Sequence, residues 1–527
     1  MNKQLSFEQA ARLIPDGAVV AVNSSSGLNC PDRMLAAIGE RFAAEGRPRG
    51  LTLMLPISAG DMYGIKGIDH VAKKGLLARV LAGSYPSGPS SMEPPAIWKM
   101  IAADEVAAYN VPSGVLYDML RDAAGRRAGV LTRIGLDTFV DPRRNGCKMN
   151  AAARDDIVHL VQFNGEEWLH FPNLYPGVAI VRGTTADDDG NVSMEEEGAQ
   201  LGPLEVALAA RNSGGAVIAQ FKRVVPRGSI PAQRVAVPST LVDHVVVDPE
   251  QMQATQTRHD PALSGEARKP REEFERVAFG PDKVIARRAA LELAAGDAVN
   301  LGFGISPLVP LILLEEGCED AVTWAIEQGP VGGIPAGGFV FGCAFNAQAI
   351  IPSPYQLTYF QGAGFDLCLL SFLEIDREGC VNVSRLSAKP HVTAGCGGFV
   401  DITSHARRIV FSGYFRAGVQ LAVESGRMRI LREGRVAKFV PAVEHVTFSG
   451  RRARSQGQQV TCITERCVLR LEREGLVVTE IAPGIDLERD VLGQAGFELK
   501  VSSNLRVMEE RLFRPEPMNL KPGKRPA

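Results

Sequence analysis

The segment DAVTWAIEQGPVGGIPAGG (320–338) runs as an apolar strand and then breaks into five glycines and two prolines over residues 329–338. A strand that stops so abruptly sets its last side chain, Glu327, on a sharp turn. Glycines there admit backbone angles closed to other residues and let a ligand approach the chain. The logic parallels the strand-to-turn nucleophile of α/β-hydrolases, with a carboxylate in place of serine. A carboxylate suits acyl chemistry in which the energy of a thioester must be kept, because its attack gives an anhydride of comparable reactivity. On local sequence alone the plainer reading, a glutamate that caps a turn or pairs with an arginine, is the stronger one.

A second cluster, Gly395-Cys396-Gly397-Gly398-Phe399, precedes a short helical pattern and the strand RIVFSG (408–413). Backbone N–H groups in such a cluster are material for an oxyanion hole or anion nest, while a structural turn is the better account of any lone cluster. It matches neither the dinucleotide fingerprint nor the P-loop. Asn382 in GCVNVS and Asn346 in FGCAFNAQAII are amides able to orient a carboxylate or a thioester oxygen, or to bond their own turns as asparagine more often does. Ser84, in LAGSYPSGPSSMEPP (81–95), offers a backbone donor or is only a loop residue. The nine cysteines are scattered, with no Cys-x-x-Cys pair and no zinc-ligand spacing, so buried free thiols and no metal are expected. The run Glu195-Glu196-Glu197 reads as a solvated face.

These loops need strands and helices to hold them, and the chain supplies two similar sets. DGAVVAVNSSSG (16–27) followed by a helical pattern is matched by GDAVNLGFGISP (296–307) followed by LVPLILLEE. Asp187-Asp188-Asp189-Gly190 and Asp376-Arg377-Glu378-Gly379 each follow an apolar strand, VAIVRGT and FDLCLLSFLEI. Continuous apolar strands such as AVIAQF (216–221) suit sheets covered on both faces. The expectation is two related open α/β domains with largely parallel sheets, and ligands beyond the carboxyl ends of the strands. Residues 1–250 and 276–512 form the domains on this reading, 251–275 an exposed linker, and 513–527 an unstructured tail. With 58 basic and 60 acidic residues the chain has no field to recruit nucleic acid or an anionic membrane. No signal-like or membrane-spanning run is read, so small-molecule partners and a cytoplasmic setting are expected.

Taken together, the sequence resembles the family I CoA-transferases, in the acetate/propionate branch that fuses both halves in one chain. The resemblance runs through NVPSGVLYDMLRD (110–122), VAIVRGTTADDDGNVSMEEE (178–197), IEQGPVGGIPAGG, DREGCVNVSRL (376–386) and GCGGFVDIT (395–403). It implies that Glu327 is the family's nucleophile, carrying CoA as a glutamyl thioester in ping-pong transfer to a short-chain carboxylate. It further implies that Gly397, Gly398, Asn382 and Ser84 serve the oxyanion and substrate. Gly395, Cys396, Phe399, Asn346 and Gly329 would line the CoA side. Acyl-CoA would be a substrate with no permanently bound cofactor, and a dimeric or tetrameric assembly would follow. The family pattern is altered at 23–31, 82–89 and 354–360, which reads as a changed acyl or acceptor pocket. A thioesterase using the same glutamate, and a non-catalytic ligand sensor, are the competing functions.

Overall fold

The computed structural model describes residues 3–524. The first half is built on seven parallel strands in the spatial order His244–Val247, Ala216–Phe221, Val178–Arg182, Val19–Val22, Leu51–Leu55, Leu77–Ala82 and Ala107–Asn110. Val178–Arg182 is buried at every residue, as its unbroken apolar run requires of a strand covered on both sides. The second half holds five parallel strands in the order Thr323–Ala325, Ala298–Leu301, Leu367–Ser371, Arg408–Ser412 and Gln459–Ile463.

The connectivity of the two sheets is the same. Each begins at an inner strand (19–22 or 298–301), steps to one neighbour (51–55 or 323–325), and later returns to the other side (178–182 or 367–371). Each then adds two more strands outward. The first sheet extends past Leu51–Leu55 with two parallel strands. The second instead carries the short antiparallel Pro330–Val331 there, and a hairpin of Cys467–Glu472 with Gly475–Ile481 at its far end. The aspartate turns match atom for atom. Asp187 Oδ1 accepts from the N–H groups of Asp189 and Asn191 at 3.1 and 2.9 Å. Asp376 Oδ1 accepts from those of Glu378 and Cys380 at 3.0 and 2.9 Å.

Several expectations need correction. Helix Pro281–Ala290 is followed by the short strand Ala294–Ala295, which pairs with Gly523–Lys524. That pairing also orders the supposed tail, where Phe513, Met518 and Leu520 are buried; residues 525–527 lie outside the described residues. The segment 251–275 is not exposed throughout. Gln251, Gln253, Ala254, Thr255 and Leu263 are buried, and the two glutamines donate to Gly183 O and Glu196 O at 2.8 and 2.6 Å. Glu195–Glu197 is no solvated face either. Glu197 is buried against Arg182 at 3.1 Å, Glu195 bonds Thr185 and Ser193, and Glu196 bonds Lys222 and Arg223.

The halves share a core. Helix Ser113–Ala124 of the first half lies against Ser353–Gln361 and Phe399–Thr403 of the second, burying Leu116, Leu120, Leu357, Phe360 and Val400. No helix among the described residues is long and apolar enough to cross a membrane. If the aspartate turns are true structural equivalents, Asp187→Ala and Asp376→Ala should each cost about 1–3 kcal/mol, measured by urea unfolding, since each strips acceptors from two N–H groups. A loss at one turn only would break the equivalence.

Candidate active site

Glu327 stands at the apex of a tight turn at the carboxyl end of Thr323–Ala325. Gly329 N donates to Ile326 O at 2.8 Å and Ile326 N to Pro330 O at 2.9 Å, closing the turn on both sides. Gly329 has φ +120°, and a Cβ there would sit 1.9 Å from Ile351 O, so no other residue fits. Gln328 is buried, with Nε2 donating to Ser25 Oγ at 3.4 Å. The turn therefore splits the two side chains, Gln328 reaching Ser25 of the first half and Glu327 the glycine loop 395–399.

The carboxylate meets the second glycine loop. Gly398 N–H donates to Glu327 Oε2 at 3.2 Å. A Cβ on Gly398 would lie 2.6 Å from the same oxygen, although its φ of −87° is open to any residue. Gly398 is thus glycine for the space its neighbour occupies. No ion pair to Glu327 exists among the described residues, which removes the arginine-partner reading. Half-buried by surface area but walled in around its carboxylate, Glu327 has its pKa pushed up to about 7 by burial, opposed only by the Gly398 bond.

The glycine loop is strapped to the first half. Tyr85 N donates to Ala394 O at 2.6 Å, Cys396 N to Asn110 Oδ1 at 2.9 Å, and Gly397 N to Gly83 O at 2.8 Å. Ser113 N donates to Gly397 O at 3.0 Å, and Asn110 Nδ2 to Gly83 O and Ala82 O at 2.6 and 3.0 Å. One turn beyond Gly398, Asp401 accepts from Gly114 N at 3.0 Å and Gln361 Nε2 at 2.9 Å. The Asp401 carboxyl is pushed up to about 8 by burial, with Glu327 and Asp118 adding like charge against those two hydrogen bonds.

The expected site residues divide on this geometry. Glu327, Gly397, Gly398 and Ser84 come together: the Cβ position of Gly397 is 3.2 Å from Ser84 Oγ and 3.7 Å from Glu327 Oε1. The backbone donors assigned to Gly397 and Ser84 are nevertheless committed, to Gly83 O and to Ile57 O at 2.6 Å, leaving the Gly398 N–H as the one of the three aimed at Glu327. Gly395 and Cys396 are backbone of the strap, and burial drives the Cys396 thiol well above its ordinary range. Phe399 is core, its ring 6.0 Å from Phe411. Asn382 is not brought to the site. Its Nδ2 donates to Glu374 Oε2 and Arg385 O, both at 2.7 Å, and its Oδ1 accepts from Ser384 N and Arg385 N, which uses the whole amide within its own turn. Asn346 clamps the connecting segment instead, through both Lys269 N and Lys269 O.

Asn110 and Asp401 are the residues that sequence reasoning missed. Both lie inside the stretches that carry the family resemblance, but neither has a local signature. The cysteines are all free, and no group of ligands among the described residues is able to hold a metal.

The likeness to known proteins extends along the whole chain. Residues 5–248 match the family model described as Coenzyme A transferase. The chain is 38% identical over 519 residues to the caffeate CoA-transferase of Acetobacterium woodii, covering 97% of this chain and 98% of that one. The chain belongs to the coenzyme A transferase family. It is also 36% identical over 515 residues to the acetate CoA-transferase YdiF of Escherichia coli K12, across 97% of this chain and 94% of the relative. A crystal structure described as the acyl-CoA transferase YdiF of E. coli O157:H7 in a thioester complex with CoA superposes with a TM-score of 0.91 at 34% identity, covering 99% and 98% of the two chains. This coenzyme A transferase is therefore a fused two-half enzyme, with CoA and acyl-CoA as substrates.

Two measurements test the site. Gly398→Ala should fold normally and lose roughly 100-fold or more in turnover, because the methyl group occupies the carboxylate's place and disturbs the one donor aimed at it. Near-normal turnover would contradict that geometry. Because the folded pKa of Glu327 is raised above its unfolded value, the native state holds this proton more tightly, and stability from this group is lost as pH rises through about 7. Glu327→Gln should accordingly be more stable than the parent by roughly 1–3 kcal/mol at pH 8, with the gain fading by pH 5. An equal difference at both pH values would contradict the shift.

Proposed function

We propose that this enzyme moves CoA from an acyl-CoA to a free short-chain carboxylate by ping-pong catalysis through Glu327. Ionised Glu327 attacks the thioester carbonyl of the donor, forming a glutamyl-acyl anhydride as the carbon–sulfur bond breaks and CoA leaves as thiolate. The thiolate attacks the glutamyl carbonyl, releasing the first acid as its carboxylate and leaving a glutamyl-CoA thioester. The acceptor carboxylate then attacks that thioester, and CoA thiolate returns to the new acyl group, restoring the Glu327 carboxylate. In both steps that attack the glutamyl carbon, Oε2 takes on negative charge, and the Gly398 N–H is positioned to stabilise it.

The observation that carries this reading is a walled-in carboxylate that, among the described residues, has no cationic partner and accepts from the Gly398 N–H. Desolvation raises the energy of its ionised form and so favours attack on an acyl carbon. A solved relative described as a thioester complex with CoA supports the intermediate. Relatives of nearly equal identity are named for caffeate and for acetate, so the family leaves the acid open.

Initial rates against acyl-CoA at several fixed acid concentrations should give parallel double-reciprocal lines. The kcat/KM for acyl-CoA should rise with pH through about 7, where Glu327 ionises. Glu327→Gln should lose at least roughly 1,000-fold. Thiol release at full rate without any acceptor acid would mean hydrolysis instead, and undiminished transfer in the variant would remove Glu327 from the chemistry.

A further inference from the structure

Two buried carboxyls are tied to Gly398. Its N–H bonds Glu327 Oε2, and it opens the helix Phe399–Thr403 that carries Asp401. Asp401 has 0% exposure, and its two oxygens meet two donors, Gly114 N on Oδ2 at 3.0 Å and Gln361 Nε2 on Oδ1 at 2.9 Å. The approach is close enough to dictate sequence. A Cβ on Gly114 would lie 2.5 Å from Asp401 Oδ1 and 2.5 Å from Gln361 Nε2.

No cation pairs with either carboxyl among the described residues. The titratable groups around Asp401 are Glu327, the Cys396 thiol, Asp118 of helix Ser113–Ala124, and His405 just past its own helix. Asp118 takes up the Arg121 guanidinium, and His405 bonds Gln361 O at 2.8 Å and is kept neutral by burial. Two carboxyls enclosed in this way repel each other when both are ionised, so they titrate as a pair. Burial pushes Asp401 up to about 8 and Glu327 up to about 7, which sets the order in which the protons leave.

The reaction changes one of the two charges. Glu327 is an anion in the free enzyme and uncharged as anhydride or thioester, so its acylation removes a like charge from the surroundings of Asp401. Asp401 already accepts from Gly114, in the first turn of the twelve-residue helix Ser113–Ala124, where a negative charge is favoured.

We infer that Asp401 is a positioning residue that holds the pair's proton while Glu327 is ionised and releases it to water when Glu327 is acylated. The inference rests on transfer at Glu327. In the balanced step, ionised Glu327, protonated Asp401 and acyl-CoA give the glutamyl-CoA thioester, ionised Asp401, the free carboxylate of the first acid and one proton. The Gly114 bond then becomes charge-assisted while CoA is covalently held, which strengthens the link between the first half and the glycine loop. Transfer to the acceptor carboxylate takes the proton back.

The test is stopped-flow mixing of the full-length enzyme with excess acyl-CoA, in weak buffer with a pH indicator and no acceptor acid. It reads the burst of protons against the acid released in the same burst. At about pH 7.5 the parent should release close to one proton per acid, falling towards none by about pH 9.5, where both carboxyls are ionised beforehand. Asp401→Asn, whose neutral amide stands in for the protonated acid, should still form the adduct with its proton yield at about pH 7.5 cut roughly fourfold, to the share left by Glu327 alone. Should that variant fail to fold, the pH series in the parent decides. A burst of acid without matching protons, or an unchanged yield in Asp401→Asn, overturns the role of Asp401 and leaves the transferase mechanism standing. No burst of acid at all overturns both.

Discussion

The bond from Gly398 N–H to Glu327 Oε2 is the contact on which the rest of the cleft depends. Both residues belong to the second half, yet neither loop is held there by its own half alone. The glycine loop takes its position from Gly83, Asn110, Ser113 and Gly114 of the first half. Because that strap fixes the loop by backbone and amide hydrogen bonds, the donor is set before substrate arrives, which is what electrostatic preorganisation requires. Burial, opposed by the Gly398 bond, then leaves the carboxylate able to ionise near neutral pH while remaining poorly solvated.

Duplication accounts for the frame, and divergence accounts for the division of labour. Leu51–Leu55 occupies in the first sheet the place that Thr323–Ala325 holds in the second. The strand Leu51–Leu55 leads into Pro56-Ile57, buried and apolar, where Ile57 O accepts from Ser84 N. One copy thus carries Glu327 at this strand end, and the other uses the same position to brace the cleft. The parallel strands Leu77–Ala82 and Ala107–Asn110, added only in the first half, end at the residues that grip the glycine loop.

Much of this is legible in the sequence, for identifiable reasons. Glu327 before five glycines, the continuous apolar strands and the paired aspartate turns are local patterns whose physics acts within a few residues. Asn110 and Asp401 are not legible, because their partners lie 286 and 287 residues away in the chain. Asn382 misleads for the opposite reason: its whole amide is spent on a turn of its own, which is the ordinary use of asparagine there. The polar composition of 251–275 suggests an exposed linker, whereas Gln251 and Gln253 are buried because they satisfy loop carbonyls.

The most direct test of the central claim is peptide mass mapping of the enzyme after brief exposure to an acyl-CoA without acceptor acid. The account predicts a CoA adduct, linked as a thioester and lost with hydroxylamine, confined to the peptide containing Glu327. A catalytically active enzyme that carries CoA on another residue, or turns over with no covalent adduct at all, would contradict it.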